Sequence, residues 1–540
     1  MALAAGAVAV GVVIASVFGG NDLQMVTEYV HAWRNGDYPR MYALLDRGSR
    51  QQLSQTSFVA AYRRAAQTAT LVSVVPRRVG PLQGNLVRVS MVARTRLFGT
   101  LREPLLVSTA DTNSGPAVQF TGTLLFPGLR PGEQLRRQTA LAPRATLLAR
   151  NGTPLAEGPS RTSPIPAIAS AIVGMLGPIP AGQAAAYAAQ GYPANAQVGQ
   201  DGLERVFQPQ LAGTPGGTLF AGERSMAHAA PIPGHAVTTT IDPAVEAAAI
   251  QALGPNYGGV AAMDPRTGQV LALVGVAFSA LQPPGSTMKI ITSTAALEAG
   301  IVTLSTTFPI TTSATIDGYT LNNAGGEACG GTLLNAFAVS CNAVFAPLGA
   351  KVGAARLVAT AERFGFNQPT SIPGAAESRI PSASTIGDSL AVGSSAIGQG
   401  KVQASALEMT DVAATIAMGG QRPIPTLQMG APPRFVSVTS SRIASLVERM
   451  MVAVVQFGTG TAAQIPGVQV AGKTGTAELV DTASPGASLA ANTDAWFVGY
   501  APVGAPRIVA GALFPNQGAG GATAAPAVRG VLMAGLQASR

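Results

Sequence analysis

The spacing of apolar positions changes several times along the chain, and each change marks a part. Residues 1–20 form a run without a single charge. At 1.5 Å per residue, that run just covers a hydrocarbon core of about 30 Å and predicts a membrane span. No Lys or Arg precedes it and no clear small-residue cleavage site follows, so the expectation is an anchor whose true start lies upstream, with the chain beyond it facing outward. Leu23, Val26, Val30 and Trp33 then recur at helical spacing, and after the Gly36-Asp37-Tyr38-Pro39 break Met41, Leu44 and Leu45 continue it. From about residue 70 the period becomes two, in Leu86–Val92, Leu105–Val107 and Val118–Phe120. Helices first and an antiparallel sheet second is an α+β pattern for residues 22–127. Residues 128–236 are rich in Gly, Pro and Ala and read as an extended linker.

Residues 237–540 are the best organised. Asp242 and Pro243 read as the cap and first position of a helix reaching Leu253. Gly259–Asp264 and Gln269–Val274 flank Pro265-Arg266-Thr267-Gly268 as a hairpin. Ala495–Tyr500 and Arg507–Phe514 read as neighbouring strands, and Ala524–Gln537 as a closing helix. The predicted architecture is a sheet built from both ends of this part with helices between.

Charge and rare residues narrow the chemistry. Residues 1–150 carry 17 Arg, no Lys and 7 acidic residues, so all of the net +9 lies there. Such a segment suits a solvated surface, an anionic lipid or an anionic polymer; no nucleic-acid motif accompanies it. The three histidines, His31, His228 and His235, all precede residue 240, which excludes a Ser-His-Asp triad or a histidine metal site in the last 300 residues. Cys329 and Cys341 alone cannot build a cysteine zinc or iron–sulfur site.

Three short strings carry reactive side chains. In Pro283-Pro284-Gly285-Ser286-Thr287-Met288-Lys289 the prolines disfavour helix before Ser286 and the apolar run from Ile290 favours it after. Ser286 and Lys289 then share a face at i and i+3, at a helix N-terminus that favours negative charge on the serine. A desolvated lysine beside it can act as the base. In Ser340-Cys341-Asn342, between two apolar runs, a hydroxyl can relay a proton and an amide can bind a carbonyl. Lys473-Thr474-Gly475-Thr476 follows a strand-like stretch and offers a cation and hydroxyls to a carboxylate, while Gly475 lets a substrate backbone come close. Each string alone is weak.

Taken in order, S-x-x-K, S-x-N and K-T-G resemble the signature of serine β-lactamases and penicillin-binding proteins. Gly202-Leu203-Glu204 with Leu211–Gly217, Asp264–Gly268, Ile397-Gly398-Gln399-Gly400 and Trp496–Tyr500 resemble further class B penicillin-binding protein motifs, and Arg144–Gly152 resembles their R-G-x-x-x-D-R-N-G linker string with Ala145 and Ala149 in place of Gly and Asp. The front part resembles a nuclear-transport-factor-2-like (NTF2-like) domain, as in the methicillin-resistance penicillin-binding protein. The resemblance implies an α+β multidomain chain: anchor 1–20, NTF2-like domain 22–127, linker and dimerisation domain 128–236, and a serine β-lactamase/transpeptidase-like α/β domain 237–540 with an antiparallel central sheet.

The resemblance also implies roles. Ser286 would attack a D-Ala-D-Ala stem peptide with Lys289 as base, Ser340 would shuttle a proton and Asn342 would position the donor. Lys473, Thr474 and Thr476 would hold the terminal carboxylate, and the N–H groups of Ser286 and Thr476 would form the oxyanion hole. No cofactor or metal is implied. The implied partners are peptidoglycan stem peptides, β-lactams and a membrane-embedded glycan polymerase. A D,D-carboxypeptidase and a β-lactam-binding envelope sensor or scaffold share the signature. Rapid β-lactam hydrolysis would need a glutamate between the second and third strings, and none of Glu362, Glu377, Glu408 or Glu448 stands in an E-x-x-L-N string. Cys329 and Cys341, 12 apart in an oxidising location, either bond or serve as small apolar residues.

Overall fold

A computed structural model describes residues 20–478 and 492–538. The predicted anchor falls almost wholly on residues outside this range. Among the described residues no single helix is long and apolar enough to cross a membrane. The chain forms two compact units that interleave in sequence. The first runs to Ala145 and also takes in Leu176–Val198 and Pro209–His235; the second holds Thr146–Met175, Gly199–Gln208 and everything from Ala236 onward. The stretch expected as one linker, 128–236, is therefore shared between the two units.

In the first unit, helices α1 (20–34), α2 (Tyr38–Ala43), α3 (Arg47–Gln52) and α4 (Gln55–Thr68) precede a four-stranded antiparallel sheet, β1 (Leu71–Gln83), β2 (Leu86–Thr95), β3 (Thr100–Thr112) and β4 (Gly115–Gln119), in sequential order. Capping explains the helix starts: Asp37, Asp46 and Ser54 each accept a hydrogen bond from a backbone N–H of the first turn. Period-two alternation sends Val87, Val89 and Met91 inward against Tyr29, Phe58 and Tyr62, while Arg88 and Ser90 face out. The same unit carries a three-stranded sheet in which Gly216–Ala221 is central between Leu135–Ala140 and Arg224–Ala229.

The second unit is ordered around a five-stranded antiparallel sheet. Its strands are β5 (Gly259–Asp264), β6 (Gln269–Gly275), β7 (Ala471–Glu478), β8 (Thr493–Ala501) and β9 (Ile508–Phe514), in the order β6-β5-β9-β8-β7. The predicted hairpin is β5–β6, and β9 joins it to the C-terminal pair. Helix α5 (Pro243–Leu253), capped by Asp242, and the terminal helix α10 (Ala524–Ala538) cover one face, where Val245, Ala249, Val528 and Val531 meet Ala262, Ala510 and Ala512. On the opposite face a Cβ at Gly511 would collide with Thr410 of α9 (Ala406–Ala417). Helix α6 (Lys289–Glu298) is buried from Lys289 through Leu297, as a core helix surrounded on all sides is. Its Thr292 and Thr294 hydroxyls donate to the carbonyls of Ala396 and Ile290, at 2.6 and 2.9 Å.

Near the linker motifs of this unit, Arg161 Nε meets Glu204 Oε1 at 2.7 Å with both side chains almost fully buried. The turn after Ala149 closes through the backbone instead of an aspartate: Gly152 N–H donates to Ala149 O and Ala149 N–H to Thr153 O, each at 2.9 Å.

Helix α5 also buries an acid. Glu246 is fully inside, accepting from the Leu273 N–H at 2.8 Å, and burial pushes its carboxyl up to about 8. In the unfolded chain it ionises near its ordinary value, so stability falls as pH rises from about 4.5 through 8 and the loss is complete above that. Glu246→Gln keeps the shape and removes the titration. Melting temperatures of the two proteins should therefore diverge between pH 6 and pH 8 in favour of the variant, by about 2–4 °C per pH unit, and run parallel above it.

Candidate active site

The predicted nucleophile sits where sequence placed the start of a helix. Ser286 lies in a single 3-10 turn, Gly285–Met288, that runs directly into α6. Pro284 cannot extend the turn backward as helix, and Thr287 Oγ1 donates to Pro284 O at 2.6 Å. Two glycines hold this turn from either side. Gly398, with φ of 72°, lies so close to Gly285 that a Cβ there would collide with its backbone, and its carbonyl accepts the Gly285 N–H at 3.0 Å. Gly475 of β7 abuts the other side: a Cβ would stand 2.8 Å from Pro284 O and 3.1 Å from Thr287 Cγ2. The sequence reading gave the space at Gly475 to a substrate backbone. In the structure that space is filled by the Ser286 turn and by Trp496 Cβ.

The two lysines meet at the second string. Lys289 Nζ donates to Ser340 O at 2.6 Å and to Asn342 Oδ1 at 2.8 Å, with Ser340 Oγ at 3.4 Å. Lys473 Nζ donates to Ser340 Oγ at 2.9 Å and to Thr474 O at 3.0 Å. Both ammonium groups are wholly buried. Lys289 lies over the Phe345 ring at 5.5 Å and Lys473 over Phe337 at 5.4 Å. Burial, and then the like charge of Lys473, hold Lys289 well below the usual lysine range, against a smaller opposing pull from Glu478. Burial brings Lys473 down to about 7. Ser340 can serve both lysines because its φ is 63°, a left-handed conformation that costs a non-glycine residue of order 1 kcal/mol or more. That turn between α7 (Leu333–Ala338) and α8 (Asn342–Val352) lets the carbonyl and hydroxyl of one residue reach two different ammonium groups.

Ser286, Ser340, Asn342, Thr474 and Thr476 line one cleft of about 930 Å³. Lys289, Lys473 and Gly475 stand behind its wall. Lys473 thus makes its contact with the cleft through Ser340 Oγ, and the groups presented directly are the hydroxyls of Thr474 and Thr476. Among the described residues, Glu362, Glu377, Glu408 and Glu448 do not line this cleft; the carboxylate that does is the exposed Glu327.

Sequence reasoning missed several supports. Asn323 is buried, accepts the Ala343 N–H at 2.8 Å and donates to the carbonyls of Thr311 and Glu327, so it ties the start of α8 to the strand before it. Nothing in its local sequence marks it. Phe337 and Phe345 were legible only as apolar positions, although each lies three residues from Ser340 or Asn342. Gln399, with its amide oriented to satisfy both ends, pairs with the Glu478 backbone at 2.9 and 3.2 Å. Cys329 and Cys341 form a disulfide that clamps the segment carrying Ser340 to the strand Cys329–Thr332. Closing a loop this short contributes about 3 kcal/mol.

The chain is similar to known proteins. Residues 258–533 match the penicillin binding protein transpeptidase domain, and residues 151–225 the penicillin-binding protein dimerisation domain. The chain belongs to the penicillin-binding protein transpeptidase family. With a dimerisation domain ahead of the transpeptidase domain it is a class B member. It is 33% identical over 370 residues to peptidoglycan D,D-transpeptidase PbpA of Mycolicibacterium smegmatis, covering 56% of this chain and 72% of that one. It is 25% identical over 397 residues to the transpeptidase MrdA of Acinetobacter baumannii, covering 61% and 59%. Among solved structures, penicillin-binding protein A of Mycobacterium tuberculosis in its ceftriaxone acyl-enzyme complex aligns with a TM-score of 0.60 at 28% identity, over 73% of this chain and 98% of that one.

For this penicillin-binding protein, Gly475→Ala tests the contact between strand and turn. The added methyl must displace Pro284 or Thr287, a strain of about 1–3 kcal/mol. Acylation by a fluorescent penicillin should slow about tenfold or more, and the melting temperature should fall by about 2–4 °C per kcal/mol of that strain. An unchanged acylation rate would show that the turn is not held by β7.

Proposed function

We infer that the chain is a serine D,D-transpeptidase that cross-links peptidoglycan stem peptides and is acylated by β-lactams. The observation that carries this is the convergence of Ser286, Ser340 and Asn342 on one cleft with two desolvated lysines behind it. A neutral Lys289 has two N–H bonds and one lone pair. Ser340 O and Asn342 Oδ1 take the two hydrogens at 2.6 and 2.8 Å, so the lone pair is left for the proton of a serine hydroxyl.

The reaction follows. Ser286 Oγ attacks the carbonyl carbon of the penultimate D-Ala and its proton passes to Lys289. The oxyanion forms in the cleft between Ser286 and Thr476, where two backbone N–H donors would each contribute about 3 kcal/mol. The C–N bond to the terminal D-Ala breaks as a proton reaches its nitrogen through Ser340, which lies between both lysines. D-Ala leaves and an ester remains on Ser286. The amine of a second stem peptide attacks that ester, the new amide forms, and Ser286 recovers its proton. Thr474 and Thr476 take the terminal carboxylate of the donor, with the charge of Lys473 reaching them through Ser340.

The finer assignments belong to the same reading. Residues 22–127, helices followed by a four-stranded antiparallel sheet, serve as an NTF2-like spacer of the methicillin-resistance type. Residues 128–236 act as linker and dimerisation domain, and 237–540 as the transpeptidase domain. Residues 1–20 anchor the chain with its catalytic domain outside the cytoplasm, beside a membrane-embedded glycan polymerase that supplies the strands. The support for the anchor is the uncharged run itself.

Ser286→Ala should abolish covalent labelling by a fluorescent penicillin; full labelling of that variant overturns the assignment. Incubation with a donor stem peptide and a D-amino acid acceptor should give exchange in excess of hydrolysis, and hydrolysis alone would make the protein a carboxypeptidase.

The two lysines also set a pH profile. Lys289 must be neutral to accept the proton, so the acylation constant rises as pH climbs through its lowered pKa. Lys473 must be charged to draw a carboxylate, so the constant falls above about pH 7 in the free enzyme. The expected profile for penicillin is a bell. Its descending limb should vanish for the penicillin methyl ester, which has no carboxylate to lose contact.

A further inference from the structure

The outer face of the four-stranded sheet in the first unit carries a regular line of charge. Along β2 the positions facing out are Arg88, Ser90, Val92 and Arg94, because Val87, Val89 and Met91 enter the core. The register adds their neighbours across the strands: Arg78 on β1 stands beside Ser90, and Arg102 on β3 stands beside Val92. Each of four successive rows across the sheet thus holds one arginine, in the order Arg88, Arg78, Arg102, Arg94. Rows lie two residues apart, so the charges recur about every 7 Å over a length of about 20 Å. All four residues are exposed. Among the described residues none of the four has an ion-pair partner or a side-chain hydrogen bond. The acids of these strands, Glu103 and Asp111, take the alternate positions and point to the other face.

A guanidinium pairs with two phosphate oxygens at once, and this part of the chain is built with arginine alone: residues 1–150 hold 17 Arg and no Lys. The charges lie in a line, not over an area. An antiparallel sheet also twists, by about 20–25° from strand to strand, so a flat bilayer would meet part of the line while a flexible polymer can follow all of it. We propose that this face binds a linear polyanion with one phosphodiester per repeat, laid along the strands with a phosphate on each arginine. The proposal rests on the first unit alone and is independent of the transpeptidase reading.

The test is the fluorescence anisotropy of end-labelled poly(glycerol phosphate) titrated with the full chain in a neutral detergent. Release of counterions from four contacts should give log K against log salt a slope of about −3, a loss of about fiftyfold between about 50 and 200 mM salt. Arg88→Gln with Arg94→Gln should weaken binding about tenfold or more at low salt and bring the slope to about −1.5. Arg78→Gln with Arg102→Gln should do the same, and an unchanged melting temperature shows each pair to be folded. Arg63→Gln with Arg64→Gln removes equal charge from α4, the helix that packs on the inner face. It should change the affinity by less than about twofold, since only the distant field is altered. Four results overturn the proposal: no binding at about 50 mM salt; an equal loss in the α4 variant; polyglutamate of equal charge binding as tightly; or displacement of the polymer by phosphatidylglycerol micelles at equal phosphate, which would make the face a lipid contact.

Discussion

The constraint on which this molecule turns is the placement of two lysine ammonium groups inside a protein, within reach of one serine. Each is fully desolvated, and each repels the other. Such a pair is tolerable only where carbonyl and hydroxyl oxygens and aromatic faces replace water. Ser340 supplies two of those oxygens, Asn342 and Thr474 one each, and Phe337 and Phe345 the rings. Removing the water also lowers the proton affinity of both amines, bringing Lys473 down to about 7 and holding Lys289 well below the usual lysine range.

The rest of the second unit supplies the rigidity this requires. Helix α6 delivers Lys289 from the interior, and β7 delivers Lys473 from the edge of the five-stranded sheet. Between them the Ser286 turn is pinched by Gly398 and Gly475, positions where even one methyl has no room. The second string is held three ways: by Asn323 at the head of α8, by the disulfide, and by the left-handed backbone at Ser340.

Much of this was legible in the chain and some of it was not. Periodicity and caps located α5, the β5–β6 hairpin, β8, β9 and α10, because those elements bury regular apolar faces. Motif order located Ser286, Lys289, Ser340, Asn342, Lys473, Thr474, Gly475 and Thr476, and the structure gathers all but Lys289, Lys473 and Gly475 along the cleft wall. What local sequence does not carry is which groups share a neighbour across long separations. Lys289 and Lys473 meet through Ser340, 51 and 133 residues away, so their mutual repulsion has no local signature. The same holds for Asn323 and for Gly475, whose missing side chain leaves room for the Ser286 turn and Trp496. The split of residues 128–236 between two units escaped for a related reason: short Gly- and Pro-rich pieces have no periodicity to show which core they join.

The strand order of the central sheet bears on how the domain comes into being. The N-terminal hairpin β5–β6 and the lysine-bearing strand β7 never touch; β9 and β8 lie between them, and β9 is the last strand of the chain. Until residues 508–514 have left the ribosome, the hairpin has nothing to pair with on its inner edge, and the β7–β8 pair that carries Lys473 has no strand joining it to the hairpin. Closure of the sheet thereby waits on a strand some 250 residues further along the sequence, a contact of high order. A domain that cannot close early stays an open chain until that distant strand arrives.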